Sequence, residues 1–61
     1  MVKPRFVIYK DRAGYYRWYL QALNGEKVAA SEGYVYKQSA INSASRVKQI
    51  AYLADIVDST I

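Results

Sequence analysis

Sixty-one residues without cysteine or histidine allow one domain and exclude a disulfide-stapled core, a thiolate metal cluster and the usual imidazole acid–base chemistry. Nine Lys and Arg against five Asp and Glu give a net charge of +4, scattered without a run of like sign. That balance suits solubility and admits anionic partners, but it is no basic tail. Hydrophobic residues at 52% exclude a disordered chain, and seven tyrosines and one tryptophan bring large amphipathic rings to a core that must be thin at this length.

Met1 to Arg5 lacks an apolar leader region, and no stretch approaches the ~18 apolar residues of a membrane span. The expectation is a cytoplasmic protein with no membrane contact. Arg5 to Lys10 (RFVIYK) reads as a first strand opening just after Pro4, which a strand start tolerates. Phe6 and Ile8 would face the core, with Val7 and Tyr9 on the opposite side. Asp11-Arg12-Ala13-Gly14 is a polar, glycine-closed hairpin connection.

The chain is organised around Tyr15 to Tyr34. Tyr16, Trp18, Leu20 and Ala22 alternate with Tyr15, Arg17, Tyr19 and Gln21, the period of a half-buried strand. Asn24-Gly25 supplies a turn, and Val28 and Ala30 resume the alternation on a third strand. Parity selects the loop. A two-residue Asn24-Gly25 loop would put Val28 on the face away from Trp18. A three-residue loop, Leu23-Asn24-Gly25, sets Ala22 opposite Glu26, Leu20 opposite Val28 and Trp18 opposite Ala30, so the apolar side chains share one face. This predicts a type I turn closed by a bulge, with Gly25 in the left-handed region. Ser31-Glu32-Gly33 breaks the alternation, and Gly33 is expected to take a conformation that other residues resist.

From Lys37 to about Ala51 the period becomes helical. Ala40, Ile41, Ala44, Val47 and Ala51 form a stripe of mostly small residues, while Ser39, Asn42, Ser43, Arg46 and Gln49 fall largely on the polar side. Small stripe residues let a helix sit close to a sheet, with Trp18 and Tyr16 supplying bulk. Tyr36 at the N-cap is a weak start signal. Tyr52 to Val57 (YLADIV) is apolar and partly alternating, and reads as a short fourth strand. The order is β-β-β-α-β in one domain spanning 1–61, an α+β fold with an antiparallel sheet and one helix packed on one face.

Phe6 to Lys10, Gly14, Arg17-Trp18, Leu20, Ala22, Asn24-Gly25 and Ser31-Glu32-Gly33-Tyr34 resemble the motif of the YegP-like proteins, a family of small, mostly bacterial proteins of unknown function. The resemblance continues through Lys37, Ala40, Asn42 and Val47-Lys48. It departs at Tyr36, where the family usually has Ser or Thr, and at Ser43-Ala44, where it often has Gly-Ile. It implies two β-β-β-α-β units sharing one sheet and exchanging their last strands, and it brings no catalytic residue. Physical considerations agree. One copy offers a thin core without disulfides and leaves strand edges open. The tail follows the helix too closely to fold back easily, so pairing with a partner would bury Leu53, Ile56 and Val57. A homodimer with swapped C-terminal strands is therefore expected.

Catalysis is poorly supported, because the acids Asp11, Glu26, Glu32, Asp55 and Asp58 lie mostly at turns and ends. No enzyme, cofactor, metal or small-molecule substrate is expected. Gly33 before a helix could present amides to an anion, but no phosphate-loop spacing accompanies it, and it reads as the strand-to-helix bend. Binding is the more serious reading. Arg5, Val7, Tyr9, Arg17, Tyr19 and Lys27 should share the outward sheet face, where rings interleaved with cations could stack single-stranded nucleic acid. Alternatively, the same cross-strand pairs only stabilise a solvated face, or the face is a platform for protein. The expected role is a non-catalytic homodimeric interaction module, with nucleic-acid binding as the alternative.

Overall fold

The computed structural model describes residues 3–60. Strands β1 (Arg5–Lys10), β2 (Tyr16–Gln21) and β3 (Lys27–Ala30) form an antiparallel sheet in the order β1-β2-β3, followed by helix α1 (Lys37–Leu53). The β1–β2 register is regular, with Phe6 opposite Leu20, Ile8 opposite Trp18 and Tyr9 opposite Arg17. The connecting turn is held by the amide of Gly14 donating to the Asp11 carbonyl at 3.1 Å and that of Asp11 donating to the Tyr15 carbonyl at 2.8 Å.

The second hairpin has the expected three-residue loop. The Ala22 amide donates to the Glu26 carbonyl at 2.8 Å, the Gly25 amide returns to the Ala22 carbonyl at 3.0 Å, and Gly25 has φ +88°. The register beyond it needs correction. Gln21 pairs with Lys27, but Leu20 pairs with Ala29 and Tyr19 with Ala30, leaving Val28 unpaired in a bulge and exposed. Leu20 is therefore not opposite Val28, nor Trp18 opposite Ala30. The slip puts Ser31 across from Trp18. The Ser31 amide donates to the Trp18 carbonyl at 2.9 Å, and the Ser31 hydroxyl accepts from the Trp18 amide at 2.9 Å. A side-chain oxygen thus takes the place of a ladder carbonyl.

A bridge between Tyr16 and Tyr34 extends this edge past Gly33. Gly33 does not have positive φ; among the described glycines only Gly14 and Gly25 do. Its constraint is space. A Cβ there would stand 3.0 Å from the Tyr15 Cβ and 3.3 Å from an Arg17 guanidinium nitrogen, tighter than ordinary contact.

α1 packs on the inner face, chiefly against β2. Trp18 is 5% exposed, and Ala40 and Ala44 are the other buried apolar residues among those described. Phe6 meets Trp18 edge-on, with centroids 5.2 Å apart at 70°. Tyr36 is the N-cap and makes no side-chain cap bond. The helix outruns the stripe drawn for it. Seventeen residues reach about 25 Å, longer than a six-residue strand at about 20 Å, so its last turns pass the sheet and Ala51 is exposed. Tyr52 and Leu53 belong to this helix, and Ala54 leaves it extended at φ −74°, ψ 138°. The fourth strand expected over Tyr52–Val57 does not form in the single chain. No glycine, proline or asparagine stops the helix before Ala54, and residues 54–60 pair with no strand.

Candidate interaction surfaces

The outer face of the sheet carries no helix. The register brings Arg5, Val7, Tyr9, Arg17, Tyr19 and Lys27 to it together, as parity predicts. Tyr9 and Tyr19 lie diagonally, with centroids 5.7 Å apart at 57°, and Lys27 Nζ sits 4.5 Å from the centre of the Tyr19 ring. Arg5 Nε donates to Gln21 Oε1 at 3.1 Å across the strands.

Arg17 is the most engaged of these cations. Its Nε donates to Asp11 Oδ2 at 2.6 Å, and a second guanidinium nitrogen donates to the Ser31 carbonyl at 3.3 Å. Asp11 also accepts the Tyr15 amide at 2.9 Å. The Arg17 hydrogen bond, then the Tyr15 amide, hold the Asp11 carboxyl below the usual aspartate range, and the same bond raises the Arg17 pKa. Asp11, placed only in a turn by sequence reading, is thus a partner within the face. Alternation through the turn puts it diagonally beside Arg17, which is the signal that was available.

Ser43 is a second correction. Assigned to the polar side of the helix, it faces the sheet, where its hydroxyl oxygen accepts both Trp18 Nε1 and the Tyr34 hydroxyl at 2.9 Å. A buried indole N–H requires an acceptor, and Ser43 supplies it.

On the inner side, α1 does not close over β1. A groove of about 510 Å³ runs between them, lined by Pro4, Phe6, Ile8, Leu20, Ile41 and Ala44, with Arg5, Ser45 and Lys48 completing it. A second hollow of about 750 Å³ shares Ser45 and Lys48 and continues along the helix to Tyr52 and Leu53. Beyond lies the tail, with Leu53 78%, Ile56 100% and Val57 81% exposed. Of the residues assigned to a dimer strand, Leu53 is helical, and Ile56 and Val57 lie past the helix outside any strand.

Among the described residues there is no cluster of metal-binding side chains, and no helix is long and apolar enough to cross a membrane. The molecule is a small α+β domain, distinguished by an uncovered aromatic–basic sheet face and an unfilled apolar groove rather than by an enclosed polar pocket. Residues 11–58 match the family model described as a domain of unknown function, DUF1508, and the chain belongs to that family. It is 46% identical to a UPF0339 protein of Agrobacterium fabrum over 56 residues, 92% of this chain and 90% of the relative. A UPF0339 protein of Methanosarcina acetivorans is 38% identical over 53 residues, 87% of this chain and 91% of that one. The fold is similar to the solution structure of a protein from Haloferax volcanii, at TM-score 0.81 and 38% identity, covering 97% of this chain and all of the other. The resemblance carried by the hairpin motif is borne out. These family names indicate no enzymatic activity.

Proposed function

We propose that this protein is a non-catalytic interaction module that works as a homodimer with exchanged C-terminal segments. The observation that carries this reading is the coexistence, in one chain, of an unfilled apolar groove and an apolar tail with Ile56 fully exposed. Leaving both in water forgoes burial worth roughly 25 cal/mol per Å². The exit at Ala54-Asp55 has neither glycine nor proline to reverse the chain onto its own groove, so a second copy is the natural source of a tail. A family relative from Stutzerimonas stutzeri, matched over only 41% of its length, leaves room for a second unit in one chain, which supports the same pairing. Light scattering tests it. The full chain should behave as a dimer, and deletion of residues 54–61 should abolish the dimer. A folded monomer at micromolar concentration refutes it.

A second reading places single-stranded nucleic acid on the outer face. The stack of Lys27 on Tyr19 beside Tyr9 favours it, whereas the pairing of Arg17 with Asp11 leaves fewer cations for phosphate. Binding of short DNA or RNA oligonucleotides at low salt, weakened by Tyr19→Ala, is the expected result. Absence of binding at low salt removes this reading.

A further inference from the structure

We propose that the flank of α1 beside Tyr34 is a binding site for a phosphate group, built within one chain and independent of the dimer. An open hollow of about 520 Å³ lies there. Every residue lining it has a hydrogen-bonding side chain, and none is an acid. The groove beside β1, by contrast, has an apolar floor. Ser39, Asn42, Ser43 and Arg46 come from successive turns of the helix at spacings of three and four, so they reach the hollow together.

Hydrogen bonding leaves this flank with uncommitted donors. Trp18 Nε1 and the Tyr34 hydroxyl both meet Ser43 Oγ at 2.9 Å. If Tyr34 donates, the Ser43 proton is left over; if Ser43 donates, the Tyr34 proton is left over. Both hydroxyls line the hollow, and neither has a further acceptor among the described residues. One O–H is therefore uncommitted in either arrangement. Asn42 Oδ1 accepts from Gln38 Nε2 at 2.9 Å, which occupies its acceptor end and leaves its amide nitrogen as a donor. Arg46 is exposed, and the one ion pair among the described residues joins Arg17 to Asp11 instead.

A guanidinium beside neutral N–H and O–H donors, with no carboxylate to compete, is the donor set that an oxyanion requires. The fork of Arg46 suits two phosphate oxygens, and Asn42 or the uncommitted hydroxyl suits a third. From Ser39 to Arg46 the helix rises about 10 Å, more than a single phosphate needs. The Ser39 end therefore fits the hydroxyls of a phosphate ester, whereas free phosphate would use the Arg46 end alone.

Titration of the full chain, followed by proton–nitrogen NMR correlation spectra at fixed ionic strength, tests this. Glycerol phosphate should saturably shift the amides of Ser39, Asn42 and Arg46, together with the Trp18 indole N–H, which shares Ser43 with the site. Glycerol and chloride should not. Inorganic phosphate binding as tightly assigns the site to free phosphate, and weaker binding assigns it to an ester; either result supports the proposal. Arg46→Gln, at an exposed side chain, should weaken binding about tenfold or more. Lys3→Gln removes the same charge outside the hollow and should leave the affinity unchanged. Equal weakening by both substitutions marks diffuse attraction to a chain of net charge +4 and overturns the site. Shifts no larger than those from chloride, or shifts centred on Tyr19 and Lys27 of the outer sheet face, overturn it as well. A monomeric parent does not touch the result, because every donor comes from one chain.

Discussion

Replacing Ser43 by alanine deletes one oxygen that accepts two hydrogen bonds, from Trp18 Nε1 and from the Tyr34 hydroxyl. The two donors lose unequally. Trp18 is 5% exposed, so its N–H has little access to replacement water and is left desolvated at a cost of about 1–3 kcal/mol. Tyr34 is half-buried, and its hydroxyl can turn to solvent and lose about 0.5–1 kcal/mol. Alanine is the better helix former and returns up to about 0.5 kcal/mol. The net expectation is about 1–4 kcal/mol, which for a domain of this size lowers Tm by roughly 10–30 °C. Urea unfolding followed by the fluorescence of Trp18, the only tryptophan, measures it at fixed protein concentration. A double-mutant cycle with Tyr34→Phe should show coupling above about 0.5 kcal/mol. A Ser43→Ala protein within about 0.5 kcal/mol of the parent, with unshifted emission, refutes the view that this hydroxyl pins helix to sheet.

Gly25→Ala should cost on the order of 1 kcal/mol, because φ +88° strains any Cβ although open space surrounds the position; an unchanged urea midpoint contradicts this. Trp18→Ala should cost about 3–5 kcal/mol and leave little folded protein by circular dichroism, and a cooperative melt near that of the parent would show the core lies elsewhere. Asp11 has a folded pKa below its unfolded value, so its contribution is present above the unfolded pKa and is lost as pH falls through the folded one. Asp11→Asn should therefore flatten the acid limb of stability against pH below about pH 4 while leaving the neutral-to-basic limb parallel to the parent.

What the sequence made legible was what local rules decide. The period of 2 in Phe6–Lys10 and Tyr16–Gln21 located both strands, since a strand with one buried face must alternate. The three-residue loop followed from parity and from Asn24-Gly25. Parity then misled at Val28, because it assumes an unbroken register beyond the turn. The Ser31 hydroxyl offered the Trp18 amide an acceptor that only a slipped register could reach, and that bond joins residues 13 apart. Ser43 was hidden in the same way. Nothing within the helix marks it as facing an indole; the tertiary pairing of Trp18 with α1 creates the demand. The outward face was easier, because Tyr9, Arg17, Tyr19 and Lys27 needed only alternation and the register through Gln21–Lys27 to come together.

The tail separates two kinds of structural information. A helix satisfies its backbone with its own residues, so α1 continues through Tyr52 and Leu53 until the chain is given a reason to leave, and Ala54 is where it leaves. A strand has no such autonomy, since its amides and carbonyls need a neighbouring edge. Reading Tyr52 to Val57 as a strand was therefore a statement about an edge as much as about those residues, and within its own chain the segment pairs with neither free edge of the sheet, β1 or β3. The β1 edge is regular and free, and it borders the apolar groove between sheet and helix. In the exchanged dimer proposed above, an edge supplied by a second copy would give Ile56 and Val57 hydrogen-bond partners.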